Sequence, residues 1–295
     1  MTTWNASLLR CGSFRLDAGC MFGLIPRVVW SRWFPPGVID DLNRMPLQQN
    51  SLLLESAGTL VVIEAGIGDK MTPKEHAMYA QERQPTGAVG AGRPRTIVDA
   101  LHEAGARPAD VSAVILTHLH FDHAGGITQL DSSRDPASAR LTFPNARIFA
   151  QRREWDDALA GRSTMNKTYL PSHLGPDVRE RLTLLEGDAP VMPGIDVITA
   201  PGHTWGQQLI RVQTDRGPVV FSSDVMPTAL HCRATTNLAY DVEPYTSMIE
   251  RHKMLDRAAR ERWTLVLDHE PGHPVFTVKP DEQGYFALHP AQLET

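Results

Sequence analysis

The stretch "THLHFDHAGG" (117–126) sets His118, His120, Asp122 and His123 directly after the apolar run "VSAVIL". A core cannot hold that many polar side chains unpaired, and the apolar run before them reads as a strand that ends where they begin. In an extended segment residues i and i+2 point the same way, so His118 and His120 can share one ion. The turn that follows lets Asp122 and His123 face a second.

Other strand ends repeat the theme. "IDVITAPGH" (195–203) ends on His203, "PVVFSSD" (218–224) on Asp224 and "WTLVLDH" (263–269) on His269. His273 follows a Pro-Gly turn rather than the apolar strand, so His269 is the preferred candidate. Imidazole and carboxylate ligands suit Zn2+, Mn2+, Fe2+ or Co2+, and open sites built from them are typical of hydrolytic metals.

The remaining pattern supplies a scaffold. Further strand-like runs are "TLVVIEAGIGD" (59–69), "VSAVILTH" (111–118), "ARIFA" (146–150) and "QQLIRVQ" (207–213), and amphipathic helices are read at 95–105 and 245–262. Strands in consecutive blocks, interrupted by helices, fit two sheets packed together with helices outside. The segment 14–50 concentrates Phe22, Trp30, Trp33 and Phe34 beside prolines and reads as irregular. It is either a loop packed on the core, a pocket wall or lid, or a contact between two copies in a homodimer. "TGAVGAGRP" (86–94) and "DSSRDPASAR" (131–140) read as surface loops, and "AGIGDK" lacks the third glycine of a dinucleotide site.

Composition narrows the class of partner. The 295 residues are 42% hydrophobic and 21% charged with a net charge of -5, and no stripe of Lys or Arg tracks phosphates, which argues against nucleic acid. No apolar run is long enough to span a membrane, and the N-terminus has no secretory pattern, so a cytoplasmic protein acting on a small molecule is the expectation. Cys11, Cys20 and Cys232 form no CxxC pair and no disulfide framework.

Taken in order, HxHxDH, a histidine after Pro-Gly, an aspartate and a final histidine resemble the metallo-β-lactamase superfamily, from about "QQNSLLLES" to "DHEPGHP". The resemblance implies an α+β fold, an αβ/βα sandwich of two mixed β-sheets flanked by helices, as one domain over 1–295. It also implies two divalent ions, zinc before manganese, iron or cobalt. His118, His120 and His203 would bind the first and Asp122, His123 and His269 the second, with Asp224 bridging. A pair of ions about 3.5–4 Å apart can generate a bridging hydroxide at neutral pH, so no serine nucleophile is needed. Asp122 would also be catalytic, orienting the nucleophile or passing a proton to the leaving group.

"NSLLLE", "GIGDK", "TFPNARIFAQRREW" and "SSDVMPTALH" resemble the branch of acyl-homoserine lactonases and methyl-parathion-hydrolase-like enzymes, which makes lactone or ester opening the leading expectation. Phosphotriesterase, glyoxalase-II-like thioesterase, β-lactamase and iron-dependent oxidoreductase are the alternatives. Several positions depart from that branch: Pro227 stands where many lactonases have a tyrosine, Glu64 where an aspartate is common, Trp205 and Gln207 where proline and histidine are usual, and Ser223 where glycine often stands. His231, Trp205 and Phe22 are the candidate substrate-pocket residues.

Overall fold

The computed structural model describes residues 2–85, 92–131, 135, 138–162 and 166–293. Its first sheet has six strands in the order Asn5–Asp17, Arg44–Ser56, Thr59–Ile63, Val111–Ile115, Arg147–Gln151 and Leu182–Leu185. The second has seven, running in chain order from Ala189–Met192 through Ile195–Thr199, Gln208–Thr214, Gly217–Phe221, Thr264–Val266 and Val275–Pro280 to Phe286–Pro290. Both sheets are mixed. Thr59–Ile63, Val111–Ile115, Arg147–Gln151 and Leu182–Leu185 are parallel neighbours, as are Gly217–Phe221 and Thr264–Val266, while the other neighbouring pairs run antiparallel.

Period-two alternation explains the layering, because adjacent side chains leave opposite faces of a strand. Val61, Ile63, Ala113 and Ile115 meet Ile210, Val212, Val219 and Phe221 in one core between the sheets. Their neighbours Val62 and Val114 point outward onto Ile97, Leu101, Trp155 and Val178. On the far side Leu209, Val220 and Leu265 face Met254, Leu255 and Ala258 of the helix Pro244–Glu261. Strands covered on both faces read as continuous apolar runs, and each fully buried Val, Ile, Leu or Phe contributes about 1.5–3 kcal/mol.

The ends of the stretch 14–50, expected to be irregular, are strands. Asn5–Asp17 and Arg44–Ser56 pair antiparallel, with a register shift between Arg10 and Ser13. Gly12, Pro46 and the polar run "QQNS" weaken the local strand signal, and pairing overrides it. Only 18–43 leaves the sheet. It folds as short helical turns that bury Met21, Phe22 and Trp30 with Phe14, Met45, Leu47 and Phe121 in a cluster of their own. Of the two stretches read as surface loops, 86–91 and half of 131–140 lie outside the described residues, while Gly92–Pro94 pairs with Arg83–Pro85.

One edge of the sandwich collects the chemistry. Glu64, the segment 117–123, His203, Asp224 and the pair Asp268–His269 all follow the carboxyl ends of strands in the two sheets. The glycines of "HAGG" let these loops close. A Cβ on Gly126 would sit 2.1 Å from the Ala65 carbonyl oxygen, and Gly126 N–H instead donates to Gly66 O at 2.7 Å. "AGIG" is thus a packing surface for the histidine loop. Among the described residues no helix is long and apolar enough to cross a membrane.

Candidate metal centre

Two groups of buried side chains share Asp224, and each has the arrangement of a cation cage. The first is His118, His120, His203 and Asp224. His118 Nε2 and His203 Nε2 lie 3.1 and 3.0 Å from His120 Nδ1, and His203 Nε2 lies 3.0 Å from Asp224 Oδ2. Ligands at about 2.0–2.1 Å from a tetrahedral ion stand roughly 3.3–3.4 Å apart, close to this spacing. His203 Nδ1 faces Asp241 Oδ1 at 3.1 Å. A carboxylate only accepts, so Nδ1 carries the hydrogen and Nε2 presents a lone pair to the cage.

The second group is His123, Asp224, Asp268 and His269. His123 Nδ1 donates to Glu64 Oε2 at 2.8 Å, and His269 Nδ1 donates to the Gln48 carbonyl at 3.0 Å. In the neutral rings both Nε2 atoms are then lone pairs, and they face each other at 3.2 Å. Two lone pairs at that distance repel unless a proton or a metal ion lies between them. Asp122 completes the mouth of this group, its carboxylate 3.6 Å from His269 Nε2 and 3.9 Å from His123 Nε2. The donor set fits two divalent ions.

The electrostatics follow from burial and charge. Burial, reinforced by the neighbouring imidazoles, holds His118 and His120 well below the usual histidine range. Burial also opposes charge on His123, but Glu64, Asp122 and Asp224 outweigh it and raise that ring well above 6.5. His203 is raised to about 10, where Asp224 and Asp241 overcome desolvation. Asp224 falls well below the carboxylate range because three histidines outweigh its burial, whereas burial and the charge of Asp224 push Asp268 well above it.

Surrounding residues clamp the ligating loops. Leu119, between His118 and His120, is held from both sides: its N–H donates to Glu154 Oε1 at 3.0 Å and its carbonyl accepts from His173 Nε2 at 3.0 Å. Glu64 accepts from Thr117 N–H at 2.6 Å as well as from His123. With its amide oxygen turned toward them, Gln207 accepts from Asp224 and Val225 N–H at 3.1 and 2.9 Å, so glutamine at this position supports the turn that carries Asp224. Asp241, Asp268, Glu154 and His173 were not read as site residues from the sequence. Adjacent residues in a strand point to opposite faces, but Thr264–Val266 ends before Asp268, so that rule does not apply there.

A cavity of about 140 Å³ opens on His120, Asp122, His203, Asp224 and His269. Leu16, Met21, Phe121 and Leu238 make its apolar wall, and Tyr79 and Tyr240 also line it. Phe22, Trp205 and His231, read from sequence as pocket residues, do not. His231 is buried behind the wall, bonded to Thr228 Oγ1 and the Met21 carbonyl at 2.8 Å each, with Phe22 stacked on it. Trp205 turns outward, donating to Glu243 at 2.8 Å beneath the Arg153 guanidinium. His273 packs on Phe276 and joins neither group, whereas His269 does.

The two-sheet α+β sandwich brings two buried groups of metal-capable side chains together at one edge, the class of architecture in which a pair of divalent ions can be held. The pattern of the metallo-beta-lactamase superfamily matches residues 44–269, and the chain belongs to that superfamily. An N-acyl homoserine lactonase from Bacillus cereus is 28% identical over 208 residues, covering 68% of this chain and 73% of the relative. One from Bacillus thuringiensis is 33% identical over 159 residues, covering 53% and 56%; the chain thus spans little more than half the length of several curated relatives it matches. In fold it is similar to a probable metal-dependent hydrolase from Staphylococcus aureus, with a TM-score of 0.83, 24% identity and 99% of each chain covered. It is also similar to AidC, a dizinc quorum-quenching lactonase in complex with a product, with a TM-score of 0.75, 17% identity, and 100% and 97% coverage.

Proposed function

We propose that this protein opens the ring of a lactone carrying an apolar acyl chain, an N-acyl homoserine lactone in class. The observation that carries the reading is the apolar wall of Leu16, Met21, Phe121 and Leu238 set directly beside Asp122, Asp224 and His269. Such a wall holds an acyl chain and excludes water from the reacting end. None of the described residues lining the cavity is a lysine or arginine, which disfavours anionic substrates such as glutathione thioesters. The relatives named N-acyl homoserine lactonases support the same class.

His118, His120, His203 and Asp224 would hold one ion, zinc by the chemistry of three imidazoles, and Asp224, His123, His269 and Asp122 a second. When bound, the pair supplies an ionised water at neutral pH and polarises the substrate carbonyl. Asp241 and Glu64 fix the tautomers of His203 and His123, so the ring lone pairs stay aimed into the cages. Asp122, at the mouth, accepts the proton of the attacking water and returns it to the ring oxygen as the ester bond breaks. Pro227 cannot donate a hydrogen bond to the carbonyl, and the tyrosines that line the cavity are the candidate donors in its place: Tyr79, and Tyr240, whose phenol also bonds the Cys20 side chain and would have to turn from it.

The test is a screen of metal-loaded protein against N-acyl homoserine lactones of increasing chain length, aryl esters, phosphotriesters, thioesters and β-lactams. Lactone turnover that improves as the acyl chain lengthens is the expected result. Phosphotriester or β-lactam turnover with inert lactones would falsify the assignment.

A further inference from the structure

We infer that Asp268 is an additional metal-contacting carboxylate of the second site, and that it strengthens that site and shifts it toward oxygen-preferring divalent ions. This rests on the paired-ion reading above.

Asp268 is only 1% exposed, and neither carboxylate oxygen has a hydrogen-bond partner. Its neighbours offer it no donor. Oδ2 lies 3.4 Å from His269 Nε2 and 3.9 Å from His123 Nδ1. The hydrogen on His123 Nδ1 is already given to Glu64, and the hydrogen of a neutral His269 is on Nδ1, given to Gln48. The Asn50 amide points elsewhere, donating to the carbonyls of Leu267 and Glu270 at 2.8 and 2.9 Å. The nearby acid, Asp224, is also a carboxylate with an orphaned oxygen.

The side chain is held in this position by its own backbone. Asp268 O accepts from Asn50 N–H at 2.8 Å, and the following His269 N–H donates to Pro227 O at 3.0 Å. A buried carboxyl group fixed among acceptors and lone pairs is satisfied by a proton shared with Asp224 or by a cation, and a cation is the one to expect here because the side chains that share its group are the proposed ligands of the second ion. With Asp122, Asp224 and Asp268 the second site has three carboxylates and two imidazoles, against one carboxylate and three imidazoles in the first. Carboxylate oxygen favours manganese-like ions more than imidazole does.

The experiment compares wild type with Asp268→Asn, similar in size and uncharged. Both are stripped of metal, reloaded with Zn2+ or Mn2+, and titrated with a chelator while bound metal is counted. Wild type should hold two ions. The variant should hold the first as tightly as wild type and the second about 10- to 100-fold more weakly, the loss being larger for Mn2+ than for Zn2+. Substitution of Co2+ gives an independent reading, since only the second-site part of the absorption spectrum should change. Equal second-site affinity in both proteins overturns the inference. So does a metal-free variant that melts below metal-free wild type, because that would make Asp268 a structural residue. Fewer than two ions on wild type would instead overturn the paired-ion reading.

Discussion

Ser223 Oγ lies 2.6 Å from Thr117 Oγ1 and joins the loop that carries Asp224 to the loop that carries His118. Ser223 has φ +49°, in the left-handed region where glycine is at ease, so its hydroxyl compensates a backbone conformation that costs about 1–2 kcal/mol for other residues. Ser223→Gly removes the strain together with the bond, which is worth about 0.5–1.5 kcal/mol, and should leave stability within about 1 kcal/mol of wild type. Ser223→Ala keeps the strain and loses the bond, so it should be the less stable of the two in urea unfolding. The reverse order would contradict this account.

Asp122 and His269 stand 3.6 Å apart at the mouth of the second group. Asp122→Asn should lower kcat about 100-fold or more in a steady-state lactone assay, because it removes the proton carrier while keeping the shape. His269→Ala should lower activity at least as far and release one ion, measured by metal analysis. Unimpaired turnover in either variant would count against the assigned roles.

Tyr240 lines the cavity beside the turn that carries Asp241. Removing its hydroxyl in Tyr240→Phe should lower kcat by about tenfold or more while metal content stays at the wild-type value. The comparison of kcat with KM separates this from a packing effect, which would appear mainly in KM.

Glu64 also has positive φ, +66°, and its two oxygens reach His123 Nδ1 and Thr117 N–H. Glu64→Gln leaves size intact but weakens the hold on the ring, and the second ion should bind about 10- to 100-fold more weakly in a chelator titration. An unchanged titration would place the control of His123 elsewhere.

His173 and His231 are buried and lowered by desolvation to about 3 and about 4. In the unfolded chain both gain a proton below about 6.5, while the folded chain resists it. Their contribution to stability is therefore complete above pH 6.5 and is lost as pH falls toward 4, at up to about 1.4 kcal/mol per pH unit for each ring. Urea unfolding at pH 6.5 and 5 should show the fall, and His231→Gln should make it shallower. A variant with the same pH slope as wild type would refute the linkage.

Sequence by itself marked the residues of the candidate centre. His118, His120, His123, His203, Asp224 and His269, which the structure gathers into two groups, were legible because metal-capable residue types are rare at strand ends, and strand ends are marked by apolar runs with period two. The sandwich was legible for the same reason, since Val111–Ile115 or Gly217–Phe221 can only be buried on both faces. Tertiary structure alone decided which side chains stand behind the ligands. Asp241, Glu154 and His173 reach their partners across 38, 35 and 54 residues, and no local pattern encodes such contacts. It likewise turned Trp205 outward, placed His231 and Phe22 behind the cavity wall, and set Asp268 beside Asp224. Direction at a loop end depends on what packs around it, whereas direction along a strand is fixed by the chain itself.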